Sequence, residues 1–109
     1  MCSKTKYREP TGAIVCSGGT GVIGMAVAEY LASDCRAARV EVLACDVTDP
    51  VSVTSTLPRI RTEHGGIRAI SHAAGSSGGG FLAKATPGSL EATLWPKVRG
   101  ALNLEAATR

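Results

Sequence analysis

Residues 17–24 read SGGTGVIG, with Gly19, Gly21 and Gly24 at the spacing G-x-G-x-x-G. The residues before them, 12-GAIVCS-17, are short, apolar and bounded by glycine, the pattern of a buried parallel strand. After Gly21 the period becomes helical to about Ser33. Ile23, Val27 and Leu31 share one stripe, with Met25, Ala28 and Ala32 beside it. A strand that turns straight into a helix leaves backbone N–H groups unpaired, with the positive end of the helix dipole behind them. A pyrophosphate sits there only where no side chain intervenes. Gly19 is therefore expected to make the tight turn, Gly21 to admit the phosphates, and Gly24 to let helix and strand pack closely. Thr20, Val22 and Ile23, between these glycines, are counted with them as cofactor-binding. Taken alone the triplet is weak in a chain with 13 glycines; between a strand and a helix it is strong.

Working outward, residues 1–11 read as an irregular lead-in closed by Pro10. A second strand is expected over 39-RVEVLAC-45, followed by 46-DVTDP-50, where Asp49 is a good N-cap and Pro50 a good first helical residue. The helix they open runs toward Glu63, and Pro58 is expected to kink or break it. His64-Gly65-Gly66 ends it, and 67-IRAISHA-73 is a third strand. The loop 75-GSSGGG-80 reads as flexible. Thr86-Pro87 repeats the cap-plus-proline device and opens a helix to about Ala107, with an interruption at Pro96. Strands alternating with helices give an α/β fold with a parallel sheet and crossover helices.

The 109 residues make at most one small domain, and with only 4% aromatic residues its core must be built from Val, Ile, Leu and Ala. A formal charge of +3 suits an anionic small ligand but is too small and scattered for nucleic acid. No apolar run approaches the ~20 residues that span a bilayer. The start MCSKTKYREP carries no apolar signal stretch, so a cytoplasmic protein is expected. Cys2, Cys16, Cys35 and Cys45 form no C-x-x-C pair and no metal site; Cys16 and Cys45 are expected to be small buried thiols. The dinucleotide fingerprint asks for an acidic residue roughly 20 positions on, to bind a ribose hydroxyl. By count that is Asp46, which would read as NAD.

The series SGGTGVIG, 45-CDVTD-49, 72-HAAG-75 and 95-WPKVRGALNL-104 resembles the ketoreductase domain of modular polyketide synthases, members of the short-chain dehydrogenase/reductase superfamily. The resemblance runs from Gly12 to the end and makes residues 12–109 the N-terminal part of a Rossmann-like dinucleotide-binding domain. It implies that C-D-V-T-D ends the third strand of the family fold, so that Asp46 meets the adenine and not the ribose, with Val47 counted beside it as cofactor-binding. The family's second strand and helix would then fall between Leu31 and Arg39, where almost nothing stands. The abrupt passage from 34-DCRAAR-39 into a strand reads as a missing segment. The basic residues that meet the 2′-phosphate of NADPH belong to that segment.

In the resembling domains Ala73, Ala74 and Gly75 pass under the adenine-side ribose, and a small residue there blocks nothing. His72 is expected to be a buried, hydrogen-bonded structural residue. The lysine of P-K-V-x-G-A belongs to the catalytic group, which here is Lys97, with a serine and a tyrosine in later segments. Its charge lowers the phenol's pKa so that the tyrosine delivers a proton to the ketone. Tyr7 and Tyr30 precede the motif, as do Ser71, Ser76 and Ser77, so these 109 residues alone are expected to be inactive. Many such ketoreductases carry Leu-Asp-Asp shortly after H-A-A-G; Ser76-Ser77-Gly78-Gly79-Gly80 stands there instead and leans toward the opposite product configuration.

The resemblance thus implies part of an NADPH-dependent β-ketoacyl reductase. Its partners would be an acyl carrier protein with its tethered β-ketoacyl chain and the other synthase domains, with no nucleic acid and no membrane. The alternatives are a non-catalytic structural reductase fold within a synthase, or another NAD(P)-binding member such as a sugar-nucleotide epimerase.

Overall fold

The computed structural model describes residues 12–33, 41–78 and 80–109. Strand β1 (Ala13–Ser17) leads through a glycine turn into helix α1 (Val22–Ser33). Helix α2 (Pro50–His64), strand β2 (Ile67–His72), a 3-10 turn at Leu82–Lys84 and helix α3 (Pro87–Thr108) follow. β1 and β2 pair in parallel, with Ser17 opposite His72 and Ala13 opposite Ile67. The two carboxyl ends therefore lie side by side. In parallel sheets that is the edge where ligands bind.

Local chemistry sets the helix ends. The Asp49 carboxylate accepts from Val51 N at 3.0 Å, and Pro50 needs no partner for an N–H it lacks. Gly65, at φ 73°, closes α2 in the left-handed conformation, its N–H donating to Arg61 O. Thr86 and Ser89 form a reciprocal capping box at the start of α3.

The core is aliphatic. Val47, Val53, Leu57, Ile60 and Leu104 are buried, with Ala13, Val15, Leu43, Ile67 and Ile70 packed against them. α2 and α3 pack on each other and on β2, whereas α1 touches only β1 among the described elements. Arg61 Nη2 donates to Ala107 O at 3.3 Å, and Asn103 Nδ2 to Val47 O at 2.9 Å, tying α3 to α2 and to the segment before it.

Four expectations change. Residues 41–46 form no strand: the described sheet holds β1 and β2 alone, and this segment pairs with neither. The segment therefore is not hydrogen-bonded to β1 as a second strand of the sheet, the arrangement a ribose-binding Asp46 would require. The missing stretch placed at 34–39 lies outside the described residues, as do Tyr7, Cys2 and Cys35. Both helices run unbroken through their prolines. Pro58 is exposed, so water reaches the carbonyl its ring leaves unbonded, while Leu57 and Ile60 hold α2 to the core. Ile23 is 73% exposed instead of lining a buried stripe; α1 approaches β1 through the buried Gly24. Cys45 is exposed and Cys16 half-buried, since nothing described pairs over the 41–45 segment.

Candidate functional site

The turn after β1 is closed by Gly21 N donating to Gly18 O at 3.0 Å. Its left-handed residue is Gly18, at φ 65°, and not Gly19. A Cβ on Gly18 would stand 2.6–2.7 Å from the backbone of Ala73 and Ala74. The glycine turn and the end of β2 thus touch main chain to main chain. Gly24 is buried, and a Cβ there would run into the Gly18 carbonyl oxygen. Thr20, Gly21, Val22 and Ile23 are exposed around the same turn, and Gly19 is half-buried.

Ser17 joins the two strand ends. Its hydroxyl, 8% exposed as a residue, bonds His72 Nδ1 at 2.5 Å and accepts from Ala73 N at 3.2 Å; the longer Ala74 N contact is 3.4 Å. Ser17 O also accepts from Ala73 N at 3.0 Å. On the other side of the ring, Nε2 faces Pro96 O at 3.0 Å and Lys97 O at 3.2 Å. Carbonyls only accept, so Nε2 carries the hydrogen and Nδ1 accepts from the serine; this assigns the tautomer. His72 is a structural bolt between β1, β2 and α3.

Lys97 lies on α3 where it passes the loop after β2. Its ammonium donates to Ser76 O at 2.9 Å and Thr93 O at 3.0 Å, and its stem runs along Gly75. Gly100, one turn on, is buried; a Cβ there would meet His72 Cε1 at 2.8 Å and Val47 Cγ2 at 3.0 Å. That glycine lets α3 approach the end of β2 closely enough to deliver Lys97 there.

Asp46 is exposed and bonds within its own turn. Its Oδ1 accepts from the Thr48 hydroxyl at 2.7 Å and Thr48 N at 2.9 Å, and these bonds, the hydroxyl first, hold its carboxyl below the ordinary range. The Val47 side chain faces the core and its carbonyl is taken by Asn103, so its side chain is not presented to a ligand.

The structure brings the glycine turn, Ala73, Ala74, Gly75 and Lys97 to one end of the sheet. Ser17 and Gly18, which the spacing does not pick out, join them, as does Ser76, which the sequence places only in the stretch that stands for Leu-Asp-Asp. Gly18 had a signal, being one of two adjacent glycines; Ser17 had none, its partner lying 55 residues away.

A parallel α/β unit with a glycine turn and a small-residue strand end side by side is a Rossmann-type arrangement. The profile of the KR domain matches residues 32–109, and the chain belongs to that family of ketoreductase domains. The matched stretch contains Asp46, H-A-A-G and Lys97; the glycine turn precedes it. Polyketide synthase ThaG of Burkholderia thailandensis is 31% identical over 121 residues, taking in 90% of this chain and 2% of its own length. With 109 residues here, about two dozen positions of that alignment face no residue of this chain.

Among solved structures, an N-terminal ketoreductase from the macrolactin assembly line shares the fold. It has a TM-score of 0.81 at 23% identity over 98% of this chain and 27% of its own. An A-type ketoreductase from a modular polyketide synthase gives 0.75 at 26% identity, over 93% and 27%. The chain spans under a tenth of the curated relatives it matches. No described helix is long and apolar enough to cross a membrane.

Proposed function

We propose that this chain is part of an NADPH-dependent β-ketoacyl reductase acting on chains tethered to an acyl carrier protein, with residues 12–109 its N-terminal, dinucleotide-binding part. The carrying observation is the Lys97 ammonium, tied to two carbonyls at the carboxyl end of the sheet with a third N–H donor left for a ligand.

The cradle fits a dinucleotide on its own geometry. Gly18 and Gly24 hold the turn tight against main chain, Gly21 puts no side chain over it, and the helix behind offers unpaired N–H groups. Gly19, Thr20, Gly21, Val22, Ile23 and Gly24 would hold the pyrophosphate by backbone, and Ala73, Ala74 and Gly75 would pass the ribose. Asp46 would reach the adenine; Val47 would contribute backbone alone. The bound cofactor supplies a hydride. Lys97 would order the proton-delivering group by its charge, a tyrosine of a later segment on the resemblance; no serine or tyrosine occurs from Val98 to Arg109. The Ser76–Gly80 stretch in place of Leu-Asp-Asp supports the configuration that Leu-Asp-Asp enzymes do not give.

Two variants of the full-length protein test this. Lys97→Ala should lower turnover of an acetoacetyl thioester by on the order of a hundredfold, with NADPH affinity kept. Gly21→Val should instead abolish NADPH binding with modest loss of fold. Wild-type turnover in the lysine variant would leave Lys97 on a solvated face and return the structural, non-catalytic reading.

A further inference from the structure

Pro96 has no N–H, so the Ala92 carbonyl, four residues back, loses its helical partner. The Ser76 hydroxyl takes that place, donating to Ala92 O at 3.0 Å. The same residue's carbonyl accepts the Lys97 ammonium at 2.9 Å. Thr93 O, the ammonium's other partner, lies next to Ala92 on the same turn of α3. Two residues beyond Ser76, a Cβ on Gly78 would stand 2.5 Å from Thr93 Oγ1, so the loop after β2 lies directly on this turn. His72 fixes the following turn through Pro96 O and Lys97 O.

We propose that Ser76 is a positioning residue for Lys97: by bonding the carbonyl that Pro96 frees, it pins the loop whose own carbonyl aims the ammonium. The proposal rests on the reading of Lys97 as part of the catalytic group. The proline is then the source of the docking point, since a residue with an N–H at position 96 would already engage the Ala92 carbonyl within the helix. A lysine stem has four rotatable bonds, and two fixed acceptors restrict it where one would let it swing. Ser76 is exposed and water can replace its hydroxyl on Ala92 O. Its loss therefore touches the aim of the ammonium far more than the stability of the fold.

The test is a double-mutant cycle in the full-length protein, with an acetoacetyl thioester and NADPH as substrates. Ser76→Ala should lower kcat by about fivefold to tenfold with KM and melting temperature nearly unchanged, and Ser76→Thr, which keeps the hydroxyl, should restore it. In a Lys97→Ala background Ser76→Ala should cost nothing further. By NMR without cofactor, the two Lys97 Hε resonances should be distinct in the wild type and merge in Ser76→Ala. A wild-type kcat in Ser76→Ala beside an impaired Lys97→Ala overturns the positioning role and leaves the lysine reading standing. A Ser76→Ala loss that persists without the lysine also overturns it. An unimpaired Lys97→Ala removes the reading beneath it, and the proposal with it.

Discussion

Gly24→Ala sets two effects against each other, and the structure decides between them. In an isolated helix, alanine is favoured over glycine by about 1 kcal/mol. Here the new Cβ would run into the Gly18 carbonyl oxygen, with Gly18 C at 2.7 Å and Gly19 Cα at 2.8 Å. Carbon atoms sit comfortably at about 3.5–4.0 Å, so α1 must lift by roughly 1 Å. No rotamer relieves the clash, because every atom met is main chain, and that turn is closed by the bond from Gly21 N to Gly18 O. Overpacking of this kind costs about 1–3 kcal/mol, and a backbone neighbour puts it at the upper end. The balance is a net loss of about 1–2 kcal/mol, or a melting temperature lower by about 5–15 °C for a chain of this size. Thermal unfolding followed by circular dichroism reads it directly. An unchanged or higher melting temperature would mean that α1 does not rest on the glycine turn, and the close helix–turn packing described above would be wrong.

Ser17 and His72 should behave as one unit. His72→Ala should cost about 2–3 kcal/mol, because the Ser17 hydroxyl and the Pro96 carbonyl lose their partner together. The Ser17→Ala/His72→Ala double variant should fall short of the summed single losses by about 1 kcal/mol; urea unfolding that gave additivity would refute the shared network. Asp46 gives a pH signature. Thr48 lowers its folded pKa below the ordinary 3.8, so the stabilisation is present above that value and is lost as pH falls through the lower folded one. Thr48→Val should therefore melt below the wild type at pH 6, and the gap should close in stronger acid; a gap that persists there would assign the threonine a role unrelated to the carboxylate.

The features legible in the sequence are those whose causes are local. Asp49-Pro50 and Thr86-Pro87 cap their helices, and Gly65 closes α2, because the partner atoms lie within four residues. β1, β2 and all three helices follow from periodicity and these signals. The strand expected over 39–45 is absent at 41–45 for a non-local reason: apolar alternation makes a strand only where the segment pairs, and 41–45 pairs with neither β1 nor β2. The interruption expected at Pro96 follows from a local rule, whereas the hydroxyl that compensates the proline comes from Ser76, 16 residues before the Ala92 carbonyl it bonds. In the site, the glycine spacing marked the turn but not which glycine is left-handed, and two adjacent glycines leave that to the approach of Ala73 and Ala74. His72 was read as structural; its partners, on both sides of the ring, came only with the fold.

The parallel pairing of β1 with β2 also fixes an order of events during synthesis. Ser17 and His72 lie 55 residues apart, and an antiparallel hairpin is not available to bring them together sooner. At about 5–20 residues per second, Ser17 is made roughly 3–11 s before His72, the last residue of its partner strand. Through that interval Ile14 and Val15 have no other described strand to join. Meanwhile α2 and β2, separated only by Gly65 and Gly66, can dock as soon as both exist. β1, the first of the described strands, is thus among the last described elements to find its place, and its apolar edge waits unpaired by β2 until that strand arrives.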